Sequence, residues 1–147
     1  MKHINLCKKT KICKGNLGYH RKKMPQINED VMGDYIKYIK KTNKISKKKK
    51  IPVNILKSTQ NQLSLNVVRK KQAKLNKRKL KISPIIISND NYILDGHHRW
   101  ATLRDCEMYP QNCSIKKKFK IDAYKVDMPI KKLLKKTAKF KYVNYEK

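Results

Sequence analysis

The six residues from Asp95 to Trp100 place a carboxylate, a glycine, two adjacent histidines, an arginine and the only tryptophan of the chain in consecutive positions. A glycine between a strand and a helix lets the backbone approach a ligand, and the first free N–H groups of the helix then point at the same place. Arg99 adds a planar fork that can bond a phosphate at two points, and His97 or His98 can donate a hydrogen bond or carry a proton. The spacing therefore predicts an anion site.

Each of these residues also has a plainer interpretation. A carboxylate before a helix can cap it, a lone tryptophan can fill the core, and one histidine of the two can be structural. The coincidence of all of them at one strand-to-helix corner favours a site. We therefore take Asp95 and His97 as candidate catalytic groups, and Gly96, His98 and Arg99 as candidate phosphate ligands.

The segments around this corner predict the elements that position it. The apolar run SPIIIS, the turn residues NDN and the run YILDG predict a β-hairpin, and HHRWATLRD predicts a helix immediately afterwards. Alternation in KKFKIDAYKVDMP predicts another strand, and IKKLLKKTAKF predicts a closing basic amphipathic helix. Strands and helices are mixed in one small chain, which predicts a single α+β domain with a small mixed sheet and flanking helices.

Composition divides the chain into three stretches. Residues 1–28 are polar and basic and predict an N-terminal arm, and residues 29–50 predict a helix followed by a lysine-rich linker. Residues 51–147 are the predicted domain, in which IPVNILK predicts a strand and STQNQLSLNVVRKKQAKLNKRKL predicts an amphipathic helix with a basic outer surface. The basic surfaces are either solvated faces or nucleic-acid contacts, and a nuclear-import signal is a further interpretation of the linker. The candidate nucleic-acid-binding residues are Lys47, Lys48, Lys49, Lys50, Arg69, Lys70, Lys71 and Lys74.

The charge balance predicts the class of partner. The chain carries 39 Lys+Arg against 10 Asp+Glu, a formal charge of +29 over 147 residues. A field of this size attracts polyanions before any specific contact forms, so nucleic acid, and DNA above all, is the expected partner. An AT-rich coding bias is a competing origin of the lysines, but such a bias would also supply acidic residues, which are scarce.

The cysteines and the hydropathy pattern bear on the compartment. No apolar run is long enough to span a bilayer, and the first residues lack the apolar core of a signal peptide. We therefore expect a protein of the cell interior or of a virion, without membrane association or secretion. Cys7, Cys13, Cys106 and Cys113 are then expected as reduced, partly buried thiols. A zinc site is the alternative, although gaps of five and six residues are wider than those of a zinc knuckle.

The string PIIISNDNYILDGHHRWATL closely resembles the core motif of the ParB/sulfiredoxin superfamily, in which a hairpin leads into a phosphate-binding turn and a helix. LGYHRKKMPQI at residues 17–27 and VNILKSTQNQLSLNVV at residues 53–68 are similar to segments of ParB-like proteins common in phages and large viruses. The resemblance covers most of residues 51–130. It implies the fold of that superfamily, a nucleotide such as CTP, ATP or ADP as ligand, and Thr59 and Gln60 as further nucleotide-binding residues.

Differences from each branch of the superfamily narrow the expected function. His97 stands where sulfiredoxins keep a catalytic cysteine, so sulfiredoxin chemistry is not expected. Partition ParB proteins have Gly-Glu-Arg-Arg at the turn, bind CTP there, and add two further domains for which this chain is too short, so a complete partition protein is not expected. The free-serine kinases share the Asp-Gly-His-His-Arg form, which implies Asp95 as a Mg²⁺ ligand or base, but Gln62 stands where those relatives often have an acid.

Three functions are compatible with these observations. The first is a ParB-like, nucleic-acid-associated protein that binds a nucleotide or phosphate at the turn, with metal-dependent nuclease or nucleotidase activity as an extension. The second is a small-molecule phosphotransferase resembling the free-serine kinases. The third is a non-enzymatic basic protein that packages DNA in a virion. We favour the first, and binding over cleavage, because one isolated carboxylate is little equipment for hydrolysis.

Overall fold

Helices and strands are mixed along the part of the chain that the computed structural model describes, which is residues 4–77 and 81–146. The helices are α1 (Leu6–Lys9), α2 (Met32–Lys40), α3 (Leu65–Asn76), α4 (His97–Met108) and α5 (Ile130–Ala138), and the strands are β1 (Ile45–Pro52), β2 (Ile85–Ile87), β3 (Ile93–Asp95) and β4 (Lys120–Val126). Single turns of 3-10 helix lie at Arg21–Lys23, Glu29–Val31, Val53–Ile55 and Pro110–Asn112.

The strands form one mixed sheet in the order β1-β4-β2-β3. β4 pairs antiparallel with β1 and parallel with β2, and β2 pairs antiparallel with β3. The parallel pair requires a crossover connection, which β3 and α4 supply. The predicted single α+β domain with a small mixed sheet is confirmed, and so are the hairpin, the strand after it and the closing helix.

The three consecutive isoleucines of β2 are buried on both faces of the sheet. Ile85 and Ile87 pack in the cluster that contains Trp100, whereas Ile86 packs with Leu94 and with side chains of α2 and α5. Successive side chains of a strand point to opposite faces, so a continuous apolar run is the pattern of a strand covered on both sides. The end of β3, where the turn begins, is thereby held between two cores.

Residues 45–50 of the lysine run are part of β1, so the interpretation of the run as a linker is wrong. β1 lies at the edge of the sheet and pairs with β4 on one side, while its lysines are exposed. An edge strand needs few buried side chains, here chiefly Ile45, so the lysines do not prevent pairing. The predicted strand IPVNILK is correspondingly wrong beyond Pro52, because Val53–Ile55 form a 3-10 turn.

Residues 4–28 pack onto the domain in place of the predicted arm. Leu6, Met24 and Ile27 are buried, and Leu6 N–H donates to Leu63 O at 2.7 Å. Gln26 pairs with Asn144 through backbone hydrogen bonds in both directions. The basic composition of this stretch conceals a few large apolar side chains, and these are sufficient to anchor it.

The remaining helices differ from expectation mainly at their ends. α3 begins at Leu65, where Ser64 Oγ caps it by accepting from Val67 N–H at 3.3 Å, so the helix predicted from Ser58 is wrong over its first seven residues. The last residues of that predicted helix, 78–80, lie outside the described ranges. Among the residues described, no helix has the combination of length and apolar character that crossing a bilayer requires.

The described cysteines are paired, so the prediction of reduced thiols is wrong and the alternative zinc site loses its ligands. Disulfides join Cys7 to Cys13 and Cys106 to Cys113, with Cα–Cα distances of 5.2 and 5.5 Å. Those distances are ordinary for disulfides. In each pair the first cysteine lies in a helix and the second in the turn that follows it, an arrangement that the spacing alone does not specify.

Candidate functional site

The turn between β3 and α4 is closed by Gly96, whose φ is +102°. A Cβ at this position would overlap Ile85 Cγ2 and lie 2.8 Å from Ile85 Cβ, so both the backbone conformation and the available space require glycine. Trp100 N–H makes the first helical bond, to Gly96 O at 3.0 Å, and no described side chain caps the helix. Asp95 is therefore not the cap of α4, and the N–H groups of residues 97–99 have no acceptor within the helix.

The two adjacent histidines tether a neighbouring segment to the start of α4. His97 Nε2 accepts from Thr59 N–H and His98 Nε2 accepts from Ser64 N–H, both at 3.0 Å. A ring whose Nε2 accepts carries its proton on Nδ1, so both rings are neutral in this arrangement. Burial lowers the pKa of His97 to about 3, helped by the neighbouring His98. Burial also lowers the pKa of His98 to about 4, together with nearby cations.

This double tether explains the course of residues 59–64. Their backbone is directed toward the histidine rings, which is why the helix starts only at Leu65. A ring with a pKa of about 3 carries no second proton near neutral pH. The contacts therefore give His97 a positioning role, and its catalytic role stays a prediction.

Asp95 and Arg99 face each other across the turn, with Arg99 Nη2 3.7 Å from Asp95 Oδ2. The same Nη2 donates to Pro84 O at 3.3 Å, and Arg99 Nε is buried without a partner among the described residues. Burial raises the pKa of Asp95 to about 6, against the opposing effects of the Arg99 guanidinium and of the Ile27 and Gly96 N–H groups. The site thus combines an arginine that has an unused donor with a carboxyl group that titrates near pH 6.

A cavity of about 260 Å³ opens over this turn, and we refer to it as the turn cavity. Three cations from separate segments line it: Arg21 from the N-terminal stretch, Lys71 from α3 and Arg99 from α4. Asp95 contributes a carboxyl group to the lining of the cavity. Burial, and then the charge of Arg99, lowers the pKa of Lys71. The cations are close enough for their charges to repel one another, and a bound anion would offset this repulsion.

The fold places only one of the other two predicted nucleotide-binding residues at the turn cavity. Gln60 lines the turn cavity, whereas Thr59 is fully buried, with its hydroxyl donating to Ile93 O. The sequence does not predict Arg21 as a site residue, although it lies in the LGYHRKKMPQI stretch, which is the signal that could have found it. Arg21 Nε is 2.7 Å from Glu146 Oε2, a contact between distant parts of the sequence.

The predicted nucleic-acid-binding residues lie on separate elements. Lys47–Lys50 are exposed on β1, the outer lysines of α3 are exposed, and Lys71 lines the turn cavity. Arg69 is engaged inside the domain: its Nη1 bonds Asp105 Oδ2 at 2.6 Å and Gln72 Oε1 at 2.7 Å. Because Asp105 is fully buried, this pair fastens α3 to α4 and leaves Arg69 less free for a phosphate than expected.

Magnesium would have one protein ligand in the turn cavity, Asp95. Within residues 4–77 and 81–146, no group of three or more His, Cys, Asp or Glu side chains is arranged to hold a metal ion. Mg²⁺ commonly binds through one or two carboxylates together with substrate phosphates. With one carboxylate beside three cations, the lining would hold a magnesium ion only where substrate phosphates supplied its other ligands.

The chemical capacity of the turn cavity is that of an oxyanion site. The open N–H groups at the start of α4 and the Arg99 guanidinium provide donors, and Arg21 and Lys71 add positive charge. His98 can add its Nδ1–H as a neutral donor. Comparisons of the chain with family models, curated proteins and solved structures give no match.

Proposed function

We propose that this protein binds the phosphate groups of a nucleotide in the turn cavity and associates with nucleic acid through its basic surface. The observation that carries the proposal is the convergence of Arg21, Lys71 and Arg99 on one cavity at the start of α4. Arg21 pairs with Glu146 and Arg99 faces Asp95, whereas Lys71 forms no ion pair among the described residues, so the cavity keeps positive charge that a ligand can compensate. A phosphate at a helix N-terminus is a compensation that proteins commonly use.

Each group of the turn cavity has a distinct part in this proposal. The N–H groups of the first turn of α4 and the Arg99 guanidinium hold the phosphate oxygens, since a guanidinium offers two parallel donors. Arg21 and Lys71 balance the remaining negative charge. His98, neutral because it is buried, donates from Nδ1, and Gly96 lets the phosphate approach the backbone.

Hydrolysis or phosphoryl transfer is an extension of the proposal. In either reaction Mg²⁺ bound with the nucleotide would neutralise charge on the phosphates, and Asp95 would be its protein ligand. Asp95 already faces Arg99 at 3.7 Å and is protonated about half the time near pH 6. Both features weaken it as a metal ligand or base, so we propose binding ahead of catalysis.

The nucleic-acid part of the proposal is supported by the formal charge of +29. The resemblance of the Asp-Gly-His-His-Arg turn to the ParB/sulfiredoxin superfamily supports a nucleotide ligand in the same protein. Each of the two alternative functions leaves one feature of the protein without a role. A phosphotransferase like the free-serine kinases has no role for the basic surface, whereas a packaging protein has no role for the turn cavity.

Calorimetric titration with CTP, ATP and ADP in the presence of Mg²⁺, with and without duplex DNA, tests the proposal. The proteins compared are the wild type, Arg99→Ala, Lys71→Ala and the control Lys37→Ala, which removes an exposed cation from α2. We expect saturable binding of at least one nucleotide by the wild type. Arg99→Ala should weaken it by about 10- to 100-fold, because a hydrogen bond to a charged group contributes roughly 1.5–3 kcal/mol. Lys71→Ala should weaken it less, and Lys37→Ala should leave it unchanged.

The outcomes separate the three functions. Absence of nucleotide binding by the wild type would refute the turn cavity as a nucleotide site. Equal losses of affinity in Lys71→Ala and Lys37→Ala would show that nucleotides bind through the overall positive charge and not at this cavity. Tight ADP or ATP binding without any DNA binding would favour the phosphotransferase. DNA binding that is unchanged in Arg99→Ala, in a protein that binds no nucleotide, would favour packaging.

A further inference from the structure

Two clefts that share no lining residue with the turn cavity lie on either side of one ridge. The ridge consists of residues 54–57 and 91–92, which are joined by bonds from Lys57 N–H to Asn91 O and from Ile93 N–H to Lys57 O, both at 3.0 Å. Neighbouring residues of the ridge line different clefts: Lys57 and Tyr92 line the first, whereas Ile55 and Asn91 line the second. The clefts are therefore adjacent parts of one surface, which we call the basic track.

Cations line both clefts of the basic track. The first cleft has a volume of about 610 Å³ and is lined by Lys11, Lys14, Lys57 and Arg104. The second has a volume of about 310 Å³ and is lined by Lys48, Lys49, Lys50 and Lys125. No aspartate or glutamate of residues 4–77 and 81–146 lines either cleft. Cations spread over two adjacent clefts match an extended polyanion better than a single phosphate group.

Apolar surface interrupts the charge at the ridge. Ile55 is 47% exposed there, which is unusual for an isoleucine in this domain. The ring of Tyr92 is half-buried on the same ridge, with Lys57 Nζ 5.1 Å from its centroid. A duplex presents phosphates and keeps its bases inside, whereas a single strand presents both to a protein. Exposed apolar surface of Ile55 and Tyr92 between cations therefore fits a strand whose bases are unpaired.

The wall of the first cleft is fixed by its own contacts. The Cys7–Cys13 disulfide closes the loop that carries Lys11, and Lys11 N–H donates to Tyr109 Oη at 3.3 Å. Arg104 Nη1 donates to Glu107 Oε1 at 2.8 Å, which orients the guanidinium and leaves its other N–H groups for a ligand. The Lys11 backbone and the Arg104 guanidinium are therefore held in place before binding, which lowers the conformational entropy lost when a ligand arrives.

We propose that the basic track binds a single strand of nucleic acid, with phosphates held by the cations of the two clefts and bases lying on the ridge at Ile55 and Tyr92. This inference rests on the nucleic-acid part of the proposed function and is independent of the turn cavity. The strand crosses the ridge from the lysines of β1 to the loop that carries Lys11 and Lys14.

Fluorescence anisotropy with a labelled oligothymidylate of about 20 nucleotides, measured over a range of salt concentrations, tests this inference. The charge-reversal variant is Lys11→Glu with Lys14→Glu, and its matched control is Lys37→Glu with Lys40→Glu, two exposed lysines of α2. We expect the first variant to weaken binding at least about 10-fold and to lower the salt slope by about 0.7 for each phosphate that is no longer neutralised. The control should change affinity by less than about 3-fold, because neither of its lysines lines either cleft.

The base contacts and the turn cavity are tested with the same probe. Ile55→Ser should weaken binding by about 3- to 10-fold without changing the salt slope, since it removes apolar contact and no charge. Arg99→Ala should bind the strand like the wild type, so failure of the track and failure of the turn cavity are distinguishable. Equal weakening by the two charge-reversal variants would overturn the track as a site. Unchanged affinity in Ile55→Ser, or tighter binding of a duplex of the same length, would overturn the assignment to a single strand.

Discussion

The turn cavity and the basic track both collect positive charge, but they are built in different ways. Around the turn, the polar groups are largely buried and bonded to backbone: the histidines accept N–H groups, and Arg99 donates to Pro84 O. On the track, exposed lysines project from an edge strand and a surface loop. A buried group with a fixed partner cannot be changed without disturbing the fold, whereas an exposed lysine can. Substitutions at the turn should therefore alter stability, and substitutions on the track should alter affinity alone.

Gly96→Ala should give the largest effect at the turn, lowering the free energy of unfolding by about 4 kcal/mol. The left-handed conformation disfavours alanine by roughly 1–2 kcal/mol, and overlap with Ile85 adds roughly 1–3 kcal/mol. Gly18→Ala is the control, because Gly18 has a φ of +79° but nothing lies within 4 Å of an added Cβ. It should lose only about 1 kcal/mol. Urea unfolding measures both variants, and equal losses would show that space at the turn is not limiting.

His97→Ala should follow, with a loss of about 3 kcal/mol. It leaves Thr59 N–H buried without an acceptor, which costs roughly 1–3 kcal/mol, and it opens a cavity in the core. His98→Ala should lose less, about 1–2 kcal/mol, because the ring is less buried. Each ring stays neutral in the folded state but gains a proton near its ordinary pKa of 6.5 in the unfolded state, so each loss should be smaller at pH 6 than at pH 8, by roughly 0.8 kcal/mol. A loss below about 1 kcal/mol in urea unfolding of His97→Ala would contradict the tether.

The hairpin and α4 could be predicted from sequence because the relevant signals are local. The triple isoleucine, the turn residues after it and a single glycine before a helical run stand next to one another, and each acts within a few residues. β1 could not be predicted in the same way. Its lysines favour solvent, and what makes them a strand is backbone pairing with β4, which is distant in sequence. No local pattern of charge or hydropathy records such pairing.

The candidate site likewise has residues that the local sequence predicts and residues that only the tertiary structure brings together. Asp95 to Arg99 are contiguous, so their types and spacing indicate an anion site before any fold is known. Arg21 and Lys71 reach that site only when their segments fold against α4. The bonds of the histidine rings to Thr59 and Ser64 also depend on tertiary structure, and they give both rings a positioning role that the sequence does not indicate.

Asp95→Asn tests the turn in the opposite direction, because it should stabilise the protein. The pKa of Asp95 is about 6 in the folded state, above its ordinary value of 3.8. The folded state therefore binds this proton more tightly, and the stability contributed by protonation is lost as the pH rises from about 4 to about 6. An amide at this position cannot ionise, so the variant should equal the wild type near pH 4 and exceed it by about 2–3 kcal/mol at pH 7, at about 1.4 kcal/mol per pKa unit.

The matched control for this prediction is Asp30→Asn, at an exposed aspartate. It should show no such pH-dependent difference from the wild type in urea unfolding at pH 4, 5, 6 and 7. Sulfate, whose charge is constant over this range, provides a second measurement. It should raise the unfolding midpoint of the wild type more at pH 5 than at pH 7, and equally at both in Asp95→Asn. A pH-independent difference between Asp95→Asn and the wild type would show that folding does not raise the pKa of Asp95.

The smallest expected change in stability belongs to the basic track, and it completes the contrast with the turn. Lys48→Ala with Lys49→Ala removes two exposed side chains of β1 and leaves its backbone pairing with β4 in place. The free energy of unfolding should change by no more than about 0.5 kcal/mol, as is usual for exposed positions. The affinity for the single-stranded oligonucleotide should nevertheless fall, with a salt slope lower by about 0.7 for each phosphate that the two lysines neutralise in the wild type. Urea unfolding and anisotropy on the same preparation check both values. A stability loss like that of His97→Ala would mean that these lysines serve the fold, and would remove the distinction between the two regions.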